Sequence, residues 1–170
     1  LQYNQDYDEK FPPYRGGGEG WAWSIQPYMK STQILQCPSE TNGPTDVPWN
    51  AGYTDYAVNI LLGHDGSVSD GKSLALLTQP TLTVMLTEGP SYSSAGYATG
   101  CSFNGAVYCS ASGLAVLEAS SNRHLDGANI AYTDGHVKWS KMNGITLMNV
   151  YNNATGGAES GSRGTFSLTP

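Results

Sequence analysis

Charged side chains are scarce in this chain, since only 13% of its 170 residues are Asp, Glu, Lys or Arg, against about 25% in an ordinary globular domain. Basic residues are the scarcer kind, at 8 against 14 acidic ones, and the formal net charge is −6. Nucleic-acid binding requires a basic face that displaces counterions from phosphates, so this composition argues against it. A polar, weakly charged surface suits a protein that lies outside the cell or packs against copies of itself.

Long apolar runs and familiar catalytic motifs are also missing. No stretch approaches the roughly 20 apolar residues of a transmembrane helix, and no secretory signal peptide is recognisable. Neither a Gly-x-Ser-x-Gly elbow, a Walker phosphate-binding loop nor a Ser-His-Asp order occurs. The chain starts at Leu1 without a methionine, and we expect residues 1–8 to be the tail of a helix that begins upstream.

Cysteine is limited to three residues. Cys101 and Cys109 flank the short, turn-rich segment CSFNGAVYC, and a bridge across so small a loop is typical of oxidising compartments. We therefore predict a Cys101–Cys109 disulfide, with two free buried thiols as the alternative. Cys37, within LQCPSE, is either free or paired with a cysteine that lies outside these 170 residues.

The pattern of apolar residues predicts short elements within a single domain spanning 1–170. Residues 1–9 are compatible with a helix that Pro12-Pro13 must stop, and 21–29 with another short helix. Four alternating or β-branched segments should form one sheet, and we place these strands at 53–60, 82–88 (ending at Gly89), 128–133 and 136–140. Two segments have little predicted regular structure: a loop insert at 90–113 and an extended tail at 153–170.

The segment RHLDGANIAYTDGHVKW, residues 123–139, is unusually polar for this chain. Asp134-Gly135 separates two alternating stretches and predicts a β-hairpin, because Asp-Gly favours a two-residue type I′ turn with positive φ at both positions. In this interpretation Asp134 shapes the turn, and the His124 ring bonds backbone groups near the base of the hairpin. The alternative is a zinc site of a metal-dependent hydrolase, built from two imidazoles and two carboxylates: His124, Asp126, Asp134 and His136.

Two further sets of side chains could react or bind an ion. Glu88 is either a general acid or, as we favour, a buried carboxylate that pairs with Arg123 or with backbone amides. An oxygen-rich loop could chelate calcium, although its spacing does not fit an EF-hand and the alternative is a solvated turn. Its candidate ligands are Asp65, Ser67, Ser69 and Asp70.

Aromatic residues crowd the first third of the chain, at Trp21, Trp23, Tyr28, Trp49, Tyr53 and Tyr56. Such rings can stack on sugars, but they more often form a core or a subunit interface. We interpret them as core or interface, with sugar binding as the alternative.

Several segments together resemble the prepilin-type, processing-associated proteins that are named for a His to Asp-Gly spacing. His124 is followed by nine residues and then by Asp134-Gly135, which resembles the C-terminal signature of that family. Four other segments resemble its stem end, its Cys-Pro-Ser segment and its two central strands: QYNQDYDEKFPP, QCPSE, YTDYAVN and VMLTEG. The resemblance spans the chain apart from 90–113 and the last part of the tail.

This resemblance to relatives of type IV pilins and type II secretion pseudopilins implies an α+β, pilin-like fold. An N-terminal stem helix, represented here by residues 1–10 and otherwise lying upstream, would pack on a small antiparallel sheet with long loops. His124, Asp134 and Gly135 would be structural, and Cys37 would have its disulfide partner in the missing part of the stem. No cofactor is expected from the resemblance, except that major pseudopilins bind calcium in a loop, which makes calcium the one candidate.

The implied function is that of a structural subunit, and not an enzyme, of an extracellular pilus-like or pseudopilus filament. Its partners would be further copies of itself in a helical homo-oligomer and the secretion or pilus assembly machinery. Membrane contact would be made through the N-terminal helix alone, anchored in the inner membrane before assembly at the cell surface or outside it. A secreted glycan- or surface-binding module is the alternative.

Overall fold

The computed structural model describes residues 1–14, 20–40, 45–59, 62–63, 70–92, 97–98, 123–141, 147–150 and 165–168. Its helices are short: α1 (Gln2–Asp6), α2 (Gly20–Ser24) and 3-10 turns at Gln26–Tyr28, Thr32–Leu35 and Leu74–Leu76. Its strands are β1 (Thr54–Asn59), β2 (Val84–Tyr92), β3 (Tyr97–Ala98), β4 (Gly127–Tyr132), β5 (Val137–Lys141), β6 (Leu147–Val150) and β7 (Thr165–Leu168). In the described part of the chain, no helix is both long and apolar enough to cross a membrane.

The main sheet has the strand order β3-β1-β2-β4-β5. Its β1–β2, β2–β4 and β4–β5 pairs are all antiparallel, and the two-residue β3 joins β1 in parallel. The predicted small antiparallel sheet is thereby confirmed, with all four expected strands in it. A separate two-stranded sheet pairs β6 with β7, so part of the predicted extended tail lies in a strand.

Strand β1 is buried on both faces. Tyr56 and Val58 lie on one face of this strand, and the residues that alternate with them, Asp55, Ala57 and Asn59, are buried as well. Asn59 satisfies its side-chain amide by donating from Nδ2 to the carbonyl of Val84 at 2.9 Å. A polar residue is tolerated inside the sheet because this hydrogen bond replaces the one it had to water.

The core lies where the short helices cover one face of β1 and β2. Its buried members come from both the aromatic first third and the sheet: Tyr14, Trp21, Ala22, Leu35, Tyr53 and Val58. Tyr56 and Leu86 pack against this core from the sheet. The interpretation of the aromatic segment as core therefore holds for Trp21 and Tyr53, whereas Trp49 lies exposed at the surface.

Helix α1 ends earlier than the sequence predicted. It stops at Asp6, well before Pro12-Pro13, and the chain turns through Asp8 and Glu9 in left-handed conformations, with φ of 52° and 59°. The Glu9 N–H donates to the Asn4 carbonyl at 2.7 Å inside this turn. The next residues then run as extended chain, since Lys10 forms a β-bridge with Ser73. Tertiary pairing of this stretch therefore overrides its local helix preference.

The predicted hairpin is present, but its turn is not the predicted one. Gly135 is the only residue of the turn at positive φ, 97°, so the type I′ prediction is wrong. The loop instead has three residues, 133–135, closed by hydrogen bonds from Gly135 N to the Tyr132 carbonyl and from Tyr132 N to the His136 carbonyl, both 2.9 Å. In a type I turn followed by a left-handed glycine, Asp134 avoids the positive φ that is energetically costly for a residue with a Cβ.

The boundary between β2 and the loop insert is also shifted. The strand was expected to end at Gly89, but it continues to Tyr92, which pairs with Thr54 of β1. Strand β3 falls within the predicted insert 90–113 as well. The glycine and the proline near its end do not terminate β2, because β1 continues to pair with it as far as Tyr92. The register of this pairing shifts between Thr54 and Tyr56 of β1.

Candidate functional site

Polar side chains from four separate segments meet at one edge of the core. Cys37 follows the 3-10 turn at Thr32–Leu35, Asp55 lies on β1, Glu88 on β2, and His124 directly precedes β4. Tyr56 of β1 is the cross-strand neighbour of Glu88. We call Cys37, Asp55, Glu88, His124 and Asn129 the polar cluster.

The His124 ring is the centre of the polar cluster. Its Nε2 lies 3.4 Å from Cys37 Sγ and 3.3 Å from Glu88 Oε1. Glu88 Oε1 also accepts a hydrogen bond from Asn129 Nδ2 at 2.7 Å. The ring therefore links the Cys-Pro-Ser segment to the sheet.

Asp55 holds the same segment from the other side. Its Oδ2 accepts a hydrogen bond from the Cys37 backbone N–H at 2.7 Å, and both residues are buried. Burial raises the pKa of Asp55 above its usual range, and the charge of Glu40 raises it further. The Cys37 N–H and the charge of Arg123 oppose this shift.

Arg123 and Glu40 add an ion pair beside the polar cluster. Arg123 NH2 lies 2.9 Å from Glu40 Oε2, and both side chains are largely buried. The structure thus brings Arg123 to Glu40, the residue that ends the QCPSE segment, and brings Glu88 to His124 and Asn129. Glu88 is the buried carboxylate that the sequence indicated. Its side-chain partners are His124 and Asn129, and not the predicted Arg123 or backbone amides.

One atom of the polar cluster is unsatisfied. Glu88 Oε2 is buried and has no hydrogen-bond partner among the described residues. Burial is the main cause that raises the pKa of the neighbouring Tyr56 phenol. The charges of Cys37, Glu88 and Asp55 raise that pKa further, and the charge of Arg123 lowers it. The cluster is therefore rich in acidic groups, and the His124 ring lies against two of them, Cys37 and Glu88.

Trp139 fixes the backbone of His124. Its Nε1 donates to the His124 carbonyl at 2.8 Å. The indole lies directly over Gly127, where a built Cβ would come within 2.4 Å of Trp139 Cε2. Glycine at 127 is therefore required for Trp139 to reach across β4 and hold His124 in place.

The second histidine of the opening segment belongs to the hairpin turn. His136 Nδ1 lies 2.7 Å from Asp134 Oδ1, and its ring stacks on Tyr132 at 4.1 Å between centroids. Burial alone would raise the pKa of Asp134, but hydrogen bonds from the His136 backbone and ring outweigh it and lower that pKa. The two imidazole rings therefore contact different residues, and they do not converge on a common ion site.

The remaining predicted sites are only partly described. Among the residues that the structure covers, no group of three or more His, Cys, Asp or Glu side chains is arranged to hold a metal ion. Cys37 is a free, buried thiol. Of the calcium candidates only Asp70 is described, whereas Asp65, Ser67 and Ser69 lie outside the described residues, as do both cysteines of the predicted Cys101–Cys109 disulfide.

A thiol, an imidazole and a carboxylate in contact invite comparison with a nucleophilic triad. In such a triad the nucleophile and the acid bond opposite ring nitrogens, so that the ring can pass a proton while the acid orients it. Here Cys37 and Glu88 both lie at Nε2 of His124. Cys37 is also only 5% exposed, so its sulfur is poorly accessible within the described part of the chain. The arrangement suits a structural tie between segments better than proton transfer.

No protein-family model matches the sequence, and no curated protein or solved structure is significantly similar to it. The polar cluster therefore has to be interpreted from its own geometry. Sequence reasoning missed the contact between Cys37 and His124, which join positions 87 residues apart. The one available signal was that QCPSE and RHLDG both stood out as polar segments next to apolar ones.

Asp55 gives the polar cluster a testable dependence on pH. When the pKa of a carboxyl is higher in the folded state than in the unfolded state, the folded protein loses stability as the pH rises from the unfolded-state pKa to the folded-state pKa. We expect Asp55→Asn, whose side-chain oxygen can still accept from Cys37 N–H, to raise the urea midpoint at pH 7. The difference from the parent chain should shrink as pH falls to about 4, the ordinary aspartate range.

Asp46→Asn is the control for this experiment, since it removes one carboxylate that lies outside the polar cluster. Its urea midpoint should follow that of the parent chain across the same pH series. A lower midpoint for Asp55→Asn at pH 7 would show that ionised Asp55 stabilises the fold, contrary to the expected sign.

Proposed function

We propose that this chain is a structural subunit of an extracellular pilus-like or pseudopilus filament, with a pilin-like fold and no catalytic role. The observation that carries this proposal is the polar cluster. Each of the segments that resemble the prepilin-type family after its stem supplies one or more members: QCPSE gives Cys37, YTDYAVN gives Asp55, VMLTEG gives Glu88 and RHLDGANIAY gives His124. In this proposal the polar residues of these segments hold the segments together within the fold.

The position of His124 and Asp134-Gly135 supports the same interpretation. His124 ties the start of β4 to β2 and to the Cys-Pro-Ser segment, and Asp134-Gly135 forms the turn between β4 and β5. The nine residues between them contain the six-residue β4, with two residues before the strand and one after it. A fixed His to Asp-Gly spacing is then a measure of strand length and needs no bound ion.

The surface also suits assembly. Val137 and Trp139 of β5 are exposed apolar residues. Exposed apolar groups on an edge strand are uncommon in a monomer and typical of surfaces that meet another molecule. In this proposal the filament core is made by an N-terminal stem helix that continues α1, and the part described here is the head that decorates it.

Electron microscopy of the cells and medium that produce this chain tests the proposal. An antibody raised against the 170-residue chain should label thin helical filaments at the cell surface or in the medium. Deletion of the chain should remove those filaments, and re-expression should restore them. Labelled material that consists of monomers, with no filament under any growth condition, would contradict it; specific binding on a glycan array would then favour the secreted binding module.

A further inference from the structure

Several Asp-Gly pairs lie in the described part of the chain, and their contacts differ. They are Asp70-Gly71, Asp126-Gly127 and Asp134-Gly135. An Asp-Gly link is prone to spontaneous isomerisation, because glycine has no Cβ to hinder the attack of its own nitrogen on the preceding side chain. Whether the reaction occurs in a folded protein depends on how freely that carboxyl group and that nitrogen can meet.

At Asp134-Gly135 both groups are engaged. Asp134 Oδ1 accepts a hydrogen bond from the His136 N–H at 3.1 Å and lies 2.7 Å from His136 Nδ1. The Gly135 N–H donates to the Tyr132 carbonyl at 2.9 Å. The carboxyl group can reach the glycine nitrogen only when these contacts break.

At Asp126-Gly127 only the nitrogen is engaged. The Gly127 N–H donates to the His124 carbonyl at 3.2 Å, next to the Trp139 indole. The Asp126 carboxylate is exposed and makes no hydrogen bond or ion pair with a described residue. The second pair is therefore less protected than the hairpin turn.

At Asp70-Gly71 neither group is engaged. Asp70 is exposed. Neither its carboxylate nor the Gly71 N–H has a hydrogen-bonding partner among the residues that the structure covers. This pair therefore has no hydrogen bond to break before the two groups meet.

We propose that Asp70-Gly71 is a site of spontaneous modification, at which Asp70 converts to isoaspartate through a cyclic succinimide. The Gly71 nitrogen forms a bond to Asp70 Cγ, and its proton leaves with the hydroxyl of the carboxyl group as water. A second water then opens the ring. Its attack at the α-carbonyl carbon of Asp70 breaks the bond from that carbon to the Gly71 nitrogen, and the main chain then runs through Cβ and Cγ. One water is lost and one is gained, so no enzyme, oxidant or reductant takes part.

The modification would loosen the segment that follows α1. Isoaspartate at 70 adds one carbon to the main chain directly before Gly71, which is buried against the Phe11 carbonyl. The next residue, Lys72, donates to the Leu62 carbonyl at 2.7 Å and accepts from the Phe11 N–H at 2.9 Å. A longer chain cannot keep all of these contacts in place. Because Phe11 is only 2% exposed, we expect their loss to destabilise the fold.

Incubation of the 170-residue chain at neutral pH, followed by trypsin digestion and electron-transfer fragmentation, measures isoaspartate at each pair. In the folded chain the rate should decrease from Asp70 to Asp126 to Asp134. It should differ at least about tenfold between the first and the last, which corresponds to one hydrogen bond to a charged group. In concentrated urea the rates should be similar, since the contacts that separate the pairs are lost. Faster conversion at Asp126 or Asp134 than at Asp70 in the folded chain would overturn the proposal, as would conversion at Asp70 in urea only.

Asp70→Glu tests the consequence for stability, because glutamate would have to close a larger ring that forms more slowly. The urea midpoint of this variant should stay constant during incubation, while that of the parent chain falls as isoaspartate accumulates. Asp126→Glu is the matched control, and its midpoint should fall nearly as that of the parent chain does. An equal fall in Asp70→Glu would overturn the link between this site and stability. These measurements do not require filaments, so they can fail or succeed independently of the proposed function.

Discussion

His124→Ala should destabilise the folded chain by about 3 kcal/mol, one of the two largest single-residue effects that we expect. The substitution removes the ring whose Nε2 contacts both Glu88 Oε1 and Cys37 Sγ. Glu88 is then left buried with a single donor, Asn129, and with its second oxygen already unsatisfied. Removing the hydrogen-bond partner of a buried polar group costs about 1–3 kcal/mol, and a buried carboxyl group that loses its neighbour belongs at the upper end of that range. Urea denaturation at pH 7, followed by circular dichroism, measures the change.

His136→Ala is the matched control, since it removes the same side chain from the same hairpin. That ring is exposed and contacts Asp134 and Tyr132 at the turn, so its loss should cost less than about 1 kcal/mol. Glu88→Gln in the His124→Ala background should recover part of the stability, because it removes the unpaired charge. Equal effects of the two histidine substitutions would contradict the structural role of the polar cluster.

Trp21→Ala should cost about 4 kcal/mol, through the cavity that it leaves in the core. Trp21 is 3% exposed and packs with Tyr14, Leu35 and Val58 where α2 covers the sheet. Trp49 provides the control within the same aromatic segment, because it is 59% exposed and Trp49→Ala should change stability by less than about 0.5 kcal/mol.

Thermal and urea unfolding of both tryptophan variants separates the two interpretations of the aromatic segment. The core interpretation requires the large difference between them. A mild effect of Trp21→Ala together with loss of glycan binding in Trp49→Ala would instead support the aromatic segment as a sugar-binding surface.

The sequence located the sheet because its strands carry a local signal. Alternation around Ile130, and β-branched residues around Val84, identified β4 and β2 without knowledge of their partners. The hairpin was recognisable for the same reason, since Asp134-Gly135 has few other uses between two alternating stretches. The turn type was not recognisable, because Asp-Gly fits two kinds of loop. It can form the two central residues of a type I′ turn, or it can supply the last residue of a type I turn and the left-handed glycine that follows.

The polar cluster was less accessible to sequence reasoning. Glu88 could be identified as a buried carboxylate from its place at the end of an apolar strand. Its partner could not be identified, because Arg123 and His124 are adjacent in the sequence. A shift of one residue along the chain would place one of them beside Glu88 in place of the other. The pairing depends on the register that β4 adopts against β2, which sets Ile130 opposite Thr87. Register is a property of the assembled sheet, and a shift of one residue would send the other side chain inward.

The sheet order has a consequence for the folding kinetics. The central pairs join β1 to β2 and β2 to β4, and the contact between Cys37 and His124 closes a loop of 87 residues. Such long-range pairings give a high contact order and folding in milliseconds to seconds. The polar cluster then forms only after the strands have docked, so its residues should have low φ-values, and their substitution should speed unfolding far more than it slows folding. The same residues that fix the thermodynamic stability of this fold would thus also set its lifetime against proteolysis.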